Sequence, residues 1–367
     1  MKSNEVCLSN ILEPGKNNFN LIQLALAYLV VWNHSCAISP ADGSFGSPIL
    51  SGIEVPSFAF LLALLYSNSL DKNGSLLRGL IRPFFRLYMN FVFAILFAAI
   101  IIAPFLFVGT PLDYFSNLST PLHYIRNNLL LNLQFEIPNT LVKARNNYGI
   151  NGAIWMVPLF LGYYLWIASW FSFSLPQRVL QRTTIVTIFA FLLLFYLKKD
   201  FLPNLTKFND FAFITTLSFL IGCLVYVYKD KIILTTKKIF GIFFLFIIFK
   251  DTQLHDIVRI LFVLGLLLYV GKYPIIQTIY PPPTPAFKFI KLKISMGIFL
   301  YSFPIQQTIA YYFPKSGPAW NFAFSSILVT LVAILSSLTI ERKLYSLADR
   351  TFEVLNKFLL TLVNSKQ

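Results

Sequence analysis

Long apolar runs divide this chain and leave it few ways to fold. Ten such runs follow one another, separated by polar or basic stretches. They cover roughly residues 20–38, 56–70, 84–108, 151–171, 183–197, 210–228, 237–250, 256–271, 294–313 and 320–340. Inside a bilayer the backbone must pair its own polar groups, and a helix of about 20 apolar residues does so. We therefore predict an all-α, polytopic membrane protein with about ten transmembrane helices.

The composition favours a membrane protein over a soluble one. Only 12% of the 367 residues are charged, whereas a soluble domain carries about 25%. The 39 Phe and 18 Tyr fit lipid-facing helices with aromatic residues at both interfaces. The first apolar run begins near residue 20 and reaches membrane-spanning length, which argues against a removable signal peptide. The three cysteines are scattered and match no metal or disulfide spacing, so we predict no metal site.

The basic residues are unevenly distributed among the loops. With the N-terminus in the cytoplasm, 21 of the 30 Lys and Arg lie on the cytoplasmic side, 8 lie outside and Arg259 lies within a segment. Cytoplasmic loops of membrane proteins carry such an excess. We predict a multi-pass protein of the plasma (inner) membrane with both termini in the cytoplasm. Its net charge of +15 suits membrane lipids or an anionic substrate, and we expect no nucleic-acid partner.

One histidine stands inside the first apolar run. An ionisable side chain at membrane depth is costly, so His34 is a functional hypothesis by default. Histidine also exchanges protons near neutral pH, as general acid–base catalysis requires. The alternative is a core histidine held by a neighbouring carbonyl group.

Five strings occur in an order that resembles a known family. They are NNFNLIQ running into VVWNHS (17–23 and 30–35), RPFFRLY (82–88), NGAIWMVP (151–158), FLIGCL continuing as VYVYKDK (219–231), and LYSFPIQQ with the later ERK (300–307 and 341–343). Together they resemble the acyltransferase-3 family of integral membrane acyltransferases. The resemblance implies one membrane domain over residues 1–367, with its core at about 17–350. It also implies transfer of an acyl group, often acetyl from acetyl-CoA, to a sugar hydroxyl across the membrane, with no bound cofactor.

The resemblance also implies roles for particular residues. His34 is the expected catalytic residue, as general base or as transient acyl carrier. The family signature places an arginine eleven residues before this histidine. On a helix that offset brings both side chains within about 20° of one face, about 16 Å apart. The residues predicted to bind substrate or acyl donor are Gln23, Asn33, Arg82, Arg86, Asn151, Trp155 and Arg259.

For two pairs of these residues the alternatives stay open. Arg82 and Arg86 lie four residues apart on one helix face and can bind the phosphates of CoA. They can equally anchor the helix to lipid headgroups. Asn151 and Trp155 either belong to the site or simply cap and anchor a helix at the membrane interface.

Three positions depart from the family pattern. Gln23 stands where the family has arginine, and it cannot supply charge to a phosphate or an oxyanion. Phe160 stands five residues after Trp155, where many members have glutamate. Residues 62–64, Leu-Ala-Leu, replace the usual Ser-Gly-Phe. An active enzyme with an altered site is our first interpretation, because His34 is retained.

A further cluster lies outside the family signatures. His255, Asp256 and Arg259 open the eighth apolar segment and can share one helix face. One interpretation is a structural ion pair. The other is that Arg259 supplies the positive charge that Gln23 lacks.

These observations predict a membrane O-acyltransferase. The donor would be acetyl-CoA from the cytoplasm, and the acceptor a cell-surface or lipid-linked glycan on the outer side. The two long outer loops, 39–55 and 109–150, would assist acceptor binding. Two alternatives remain: a non-catalytic member of the fold that binds or exports a glycan or lipid, and a secondary transporter. The sequence shows no inverted repeat that would favour the transporter.

Overall fold

We analysed a computed structural model of the chain. It describes residues 6–13, 15–39, 51–73, 76–142, 149–173, 175–201, 210–252, 254–274, 294–341, 343, 346–347 and 349–354. Most of loop 39–55 and part of loop 109–150 lie outside these ranges, as does the side chain of Arg82.

The described chain is almost entirely helical, which confirms the all-α prediction. Fourteen α-helices can be followed in chain order: α1 Leu8–Ile11, α2 Phe19–Ile38, α3 Glu54–Asn73, α4 Leu76–Leu96, α5 Ala103–Leu106, α6 Pro111–Ser116, α7 Ser119–Leu129, α8 Met156–Ser172, α9 Gln177–Phe201, α10 Asp210–Val227, α11 Thr236–Ile248, α12 His255–Gly271, α13 Ser295–Tyr312 and α14 Pro318–Ser336. The π-helix Phe97–Ile102 joins α4 to α5, the 3-10 helix Gly152–Trp155 leads into α8, and a second π-helix, Ser337–Glu341, follows α14. Each of the ten predicted apolar segments coincides with a helix.

Five stretches of the described chain are long and apolar enough to cross a membrane: Phe19–Ile38, Pro83–Leu106, Gly152–Ser172, Gln177–Leu194 and Pro318–Thr339. Their mean hydropathy ranges from 1.2 to 2.5. The remaining apolar helices are shorter or less apolar. Helices of this length and hydropathy are compatible with a membrane protein. The number of helices that span the bilayer stays a prediction.

The chain divides into two compact units. Unit 1 comprises residues 1–26, 52–76 and 166–291, and unit 2 comprises residues 27–51, 77–165 and 292–367. Each unit collects segments that are distant in sequence. The prediction of a single membrane domain remains open.

In unit 1, α3 and α10 form the most extensive helix pair. Gly222 permits this contact, because a Cβ atom there would lie 2.6 Å from the carbonyl oxygen of Phe60 and 2.8 Å from Cβ of Ala63. A small residue lets two helix backbones approach closely, which is how apolar helices gain packing energy in a membrane. Ala63, the middle residue of the Leu-Ala-Leu at 62–64, therefore lies at this helix contact, next to Phe60.

Gly222→Ala is expected to destabilise unit 1 by about 1–3 kcal/mol, because the added methyl group overlaps backbone atoms that cannot rotate away. The matched control is Gly241→Ala, also within a helix, where a Cβ atom meets nothing within 4 Å. Thermal unfolding in detergent measures the effect. Equal midpoints for the two variants would contradict the close contact.

Two β-strands, β1 Val6–Cys7 and β2 Ile233–Leu234, form a small antiparallel pair in unit 1. Val6 lies opposite Leu234, and Cys7 lies opposite Ile233. The pair links the first described residues to the turn that follows α10.

In unit 2, the π-helix Phe97–Ile102 has an unusual hydrogen bond. In π geometry the carbonyl of Ala99 would accept from residue 104, which is a proline and has no N–H. The hydroxyl of Tyr114, from α6, donates to this carbonyl instead at 2.8 Å. Burial raises the pKa of Tyr114 to about 12, so the hydroxyl keeps its proton at physiological pH.

The described part of loop 109–150 is more ordered than its composition indicates. It contains α6 and α7, and α6 begins with a capping box in which Thr110 and Asp113 bond to each other's backbone N–H groups. The hydrogen bonds from Thr110 hold the pKa of Asp113 below its ordinary value. The loop therefore has its own helical frame.

Candidate functional site

His34 lies near the end of α2, on the part of that helix that belongs to unit 2. Its ring is half-buried and meets the ring of Phe303 edge to face, with 5.0 Å between centroids and an interplanar angle of 79°. Nδ1 of His34 is buried and has no hydrogen-bond partner among the described residues. The carbonyl-bonded core histidine considered above is therefore not seen at Nδ1.

A buried polar network holds α2 against α13 beside this histidine. Gln306 Nε2 donates to the carbonyl of Val31 at 2.6 Å and to Ser35 Oγ at 2.7 Å. Ser35 in turn donates to Asn321 Oδ1 at 3.2 Å. Since the hydroxyl of Ser35 both accepts and donates here, it serves to position the helix and is not a free nucleophile.

Asn321 completes the network from α14. Its Nδ2 lies 3.0 Å from both Ser39 Oγ and the carbonyl of Gln306. All of these polar side chains are buried. Hydrogen bonds of this kind tie apolar helices together in a membrane, so the network fixes the position of the α2 backbone that carries His34.

The Asn-Gly string also meets α13. Asn151 Nδ2 donates to the carbonyl of Leu300 at 3.2 Å, and Asn151 Oδ1 accepts from the backbone N–H of Ala153 at 3.2 Å. Asn151 thus caps the 3-10 helix and fastens it to α13. A Cβ atom on Gly152 would lie 2.7 Å from Cζ of Phe303. Phe303 therefore contacts His34 and Gly152.

The loop before this string contacts the next turn of α13. Gln307 Nε2 donates to the carbonyl of Gly149 at 2.9 Å. Gly149 adopts a positive φ of 74°, and a Cβ atom there would overlap the carbonyl of Phe135, so glycine is required. Phe303 and Gln307 are four residues apart and share one face of α13.

Two buried amide oxygens near the histidine lack partners. Gln306 Oε1 and Gln307 Oε1 are buried without a hydrogen bond among the described residues, like His34 Nδ1. The orientation of both amides follows from their partners, because a backbone carbonyl accepts only from the Nε2 side. The two glutamines therefore offer acceptor atoms. A bound ligand can satisfy them by donating hydroxyl groups.

The other predicted site residues of unit 2 are more dispersed. Asn33 and Trp155 are half-buried, and each contacts other residues. Arg86 is half-buried on α4, and its carbonyl accepts from Asn90 Nδ2 at 2.9 Å. Asn90 also accepts from the hydroxyl of Tyr301 at 3.4 Å, which connects the helix of Arg86 to α13. For Arg82 only the position on α4 is described.

Two predicted residues, Gln23 and Arg259, lie in unit 1. Gln23 is half-buried on α2, the same helix as His34, so the predicted helical offset between them is present. Nη2 of Arg259 lies 3.4 Å from Oδ1 of Asp256, which is the structural ion pair that we considered. The ring of His255 packs on Phe246 at 5.4 Å between centroids.

The Phe160 position carries no charge. Phe160 is 1% exposed on α8 and packs against Tyr163, with 5.6 Å between ring centroids.

Within the described residues no group of three His, Cys, Asp or Glu side chains lies together in a way that could hold a metal ion.

Sequence reasoning did not single out Phe303, Gln307 or Asn321. Phe303 and Gln307 lie in the string at residues 300–307, which resembles the family. Their spacing of four residues places both on one helix face, and this spacing is the signal that could have linked the two residues. Asn321 gives no sequence signal beyond being an amide in an apolar segment.

Comparisons of the chain with protein-family models, with curated proteins and with solved structures found no match.

Proposed function

We propose that this protein is a membrane O-acyltransferase with about ten transmembrane helices, which moves an acetyl group from cytoplasmic acetyl-CoA to a hydroxyl of a cell-surface or lipid-linked glycan. One observation carries the proposal. His34, the Asn-Gly string at residues 151–152 and the string at residues 300–307 meet around Phe303, although each is more than 100 residues from the next. The three strings that carry the resemblance therefore lie together in the folded chain.

The proposed reaction needs one proton-transfer group. The acceptor hydroxyl attacks the thioester carbonyl, an acyl–oxygen bond forms, and the acyl–sulfur bond breaks. His34 takes the proton of the hydroxyl and returns it to the leaving thiolate, so that free CoA departs as the thiol. A half-buried imidazole with an unpartnered nitrogen has the chemistry for both transfers.

The unpaired acceptors support a hydroxyl-rich acceptor substrate. The free oxygens of Gln306 and Gln307 require hydrogen-bond donors, and sugar hydroxyls are donors. A phosphate or carboxylate group offers acceptors and no donors, so it would leave either oxygen unpaired, which is costly for a buried group. This complementarity favours a glycan.

The acyl donor is proposed to bind from the cytoplasmic face. Arg82 and Arg86 on α4 have the fork geometry that binds phosphate groups, and the half-buried Arg86 is linked to α13 through Asn90. The membrane lipids are the competing partners for these arginines.

A second function is favoured by two of the altered positions. Gln23 is neutral, and the buried Phe160 replaces a carboxylate by an apolar ring. A non-catalytic member of the fold that binds or exports a glycan would need neither the positive charge of the family's arginine nor the negative charge of its glutamate.

Transfer of radiolabelled acetyl groups separates the two functions. Membranes that contain the protein, supplied with labelled acetyl-CoA and a glycan extract of the host, are expected to form alkali-labile acetyl esters and to release free CoA thiol. Membranes without the protein provide the background. Binding of the glycan with label and thiol at background would reject the transferase and support the non-catalytic function.

A further inference from the structure

A cavity of about 500 Å³ lies in unit 1, and its lining includes none of the proposed site residues. Four helix ends form it: the last turns of α3, α8 and α10 and the first turn of α9. Its size falls in the range of small-molecule sites, about 300–1,000 Å³. Because the loops at this end of the helices carry the excess of Lys and Arg, this end is the one predicted to face the cytoplasm.

One side of the cavity is aromatic and apolar. Trp170, Phe171 and Tyr226 line it, and the rings of Phe171 and Tyr226 are 6.5 Å apart between centroids. Leu180 on α9 continues this side, and beyond it α9 exposes apolar side chains such as Phe189. An alkyl chain can therefore leave the cavity along a lipid-facing helix.

The other side is charged, with two carboxylates and one ammonium group. Lys229 Nζ lies 2.7 Å from Asp71 Oδ2 and 4.3 Å from the centre of the Tyr226 ring. The hydroxyl of Tyr226 donates to the same carboxylate oxygen at 2.7 Å. Lys229 is thus occupied by Asp71, while the exposed Asp230 has no ion-pair partner among the described residues.

Asp71 follows the apolar part of α3 and stays ionised. Burial raises the pKa of Asp71, but the hydrogen bonds from Lys229 and Tyr226 outweigh this effect and hold the pKa below its ordinary value. The lining therefore keeps one negative charge in excess at neutral pH.

Basic residues adjoin this lining in the sequence. Lys72, Arg178 and Lys231 are exposed, and each directly follows a residue that lines the cavity. The cavity therefore has an exposed carboxylate, Asp230, together with exposed basic residues next to its lining. A ligand that matches both kinds of charge carries a cationic and an anionic group.

We propose that this cavity binds the headgroup of an ammonium-bearing phospholipid. The ammonium group lies against the exposed carboxylate of Asp230 and beside Trp170, since carboxylates and aromatic rings both attract cations. The phosphate meets the exposed basic residues, and an acyl chain follows α9. A purely anionic lipid would place its headgroup against two carboxylates.

The test compares two lipids with the same acyl chains, phosphatidylethanolamine and phosphatidylglycerol, on the purified full-length protein by native mass spectrometry. We expect stronger retention of phosphatidylethanolamine, and a loss of about fivefold in Asp230→Asn. Asp251→Asn, which removes an exposed carboxylate outside the cavity, is the matched control and should change nothing.

Trp170→Leu gives a second variant that removes one aromatic face and should lower retention similarly. Equal retention of the two lipids, or unchanged retention in Asp230→Asn, would overturn the proposal. Displacement by soluble glycerophosphoethanolamine at equal concentration would overturn the assignment to a lipid. The site is independent of His34, so these outcomes do not bear on acyl transfer.

Discussion

Replacement of His34 by glutamine is expected to lower acetyl transfer by about two to four orders of magnitude, the usual contribution of a general base. Glutamine fills a similar volume and can keep contact with Phe303, but it cannot take the proton of the acceptor hydroxyl. The measurement is label incorporation from acetyl-CoA in membranes that contain equal amounts of folded protein.

The chain offers a matched control in His255→Gln. His255 is also a half-buried histidine that packs on a phenylalanine at the start of an apolar helix, and it lies in the other unit. That variant should keep normal transfer. If His34→Gln retained normal transfer, or if both variants lost it equally, the catalytic role of His34 would be rejected.

Gly152→Ala is expected to lower acetyl transfer by about tenfold or more without removing any chemical group, since small displacements in a site cost that much. The added methyl carbon would lie 2.7 Å from the ring of Phe303, which is only 5% exposed and cannot rotate into open space. The ring must shift, and His34 rests on that ring.

Two further variants make this result interpretable. Gly162→Ala adds the same methyl group on α8 where a Cβ atom meets nothing within 4 Å, and it should leave transfer unchanged. The double variant Gly152→Ala, Phe303→Leu removes the overlap and should recover part of the loss. Full activity of Gly152→Ala alone would show that a shift of the Phe303 ring does not displace the His34 side chain.

The helices were predictable because apolar runs of this length have few alternatives. All ten runs are helical, and α2 extends over Phe19–Ile38 almost as the sequence indicates. Whether a helix spans the membrane is harder to predict. The thirteen residues of α11, for example, are apolar but short. The helices α6 and α7 were missed because they are short, with 6 and 11 residues, and mix polar with apolar side chains.

The candidate site was predictable only where a residue type is unusual in its surroundings. His34 and Asn151 stand out because polar groups in apolar segments require partners. Phe303 does not stand out, since a phenylalanine in an apolar helix is ordinary, and its contacts with His34 and Gly152 arise only in the tertiary structure. Arg259 shows the reverse: it stood out in the sequence, and the structure pairs it with Asp256.

The bond between Tyr114 and the carbonyl of Ala99 ties an apolar helix to the segment that follows it. Ala99 lies in the apolar stretch Pro83–Leu106, and its hydrogen-bond donor comes 15 residues later, in α6. Until α6 packs back on this stretch, the carbonyl lacks that donor, and an unpaired buried polar group costs about 1–3 kcal/mol. The π-helix therefore depends on α6 for one of its hydrogen bonds, and the two are expected to form together during folding.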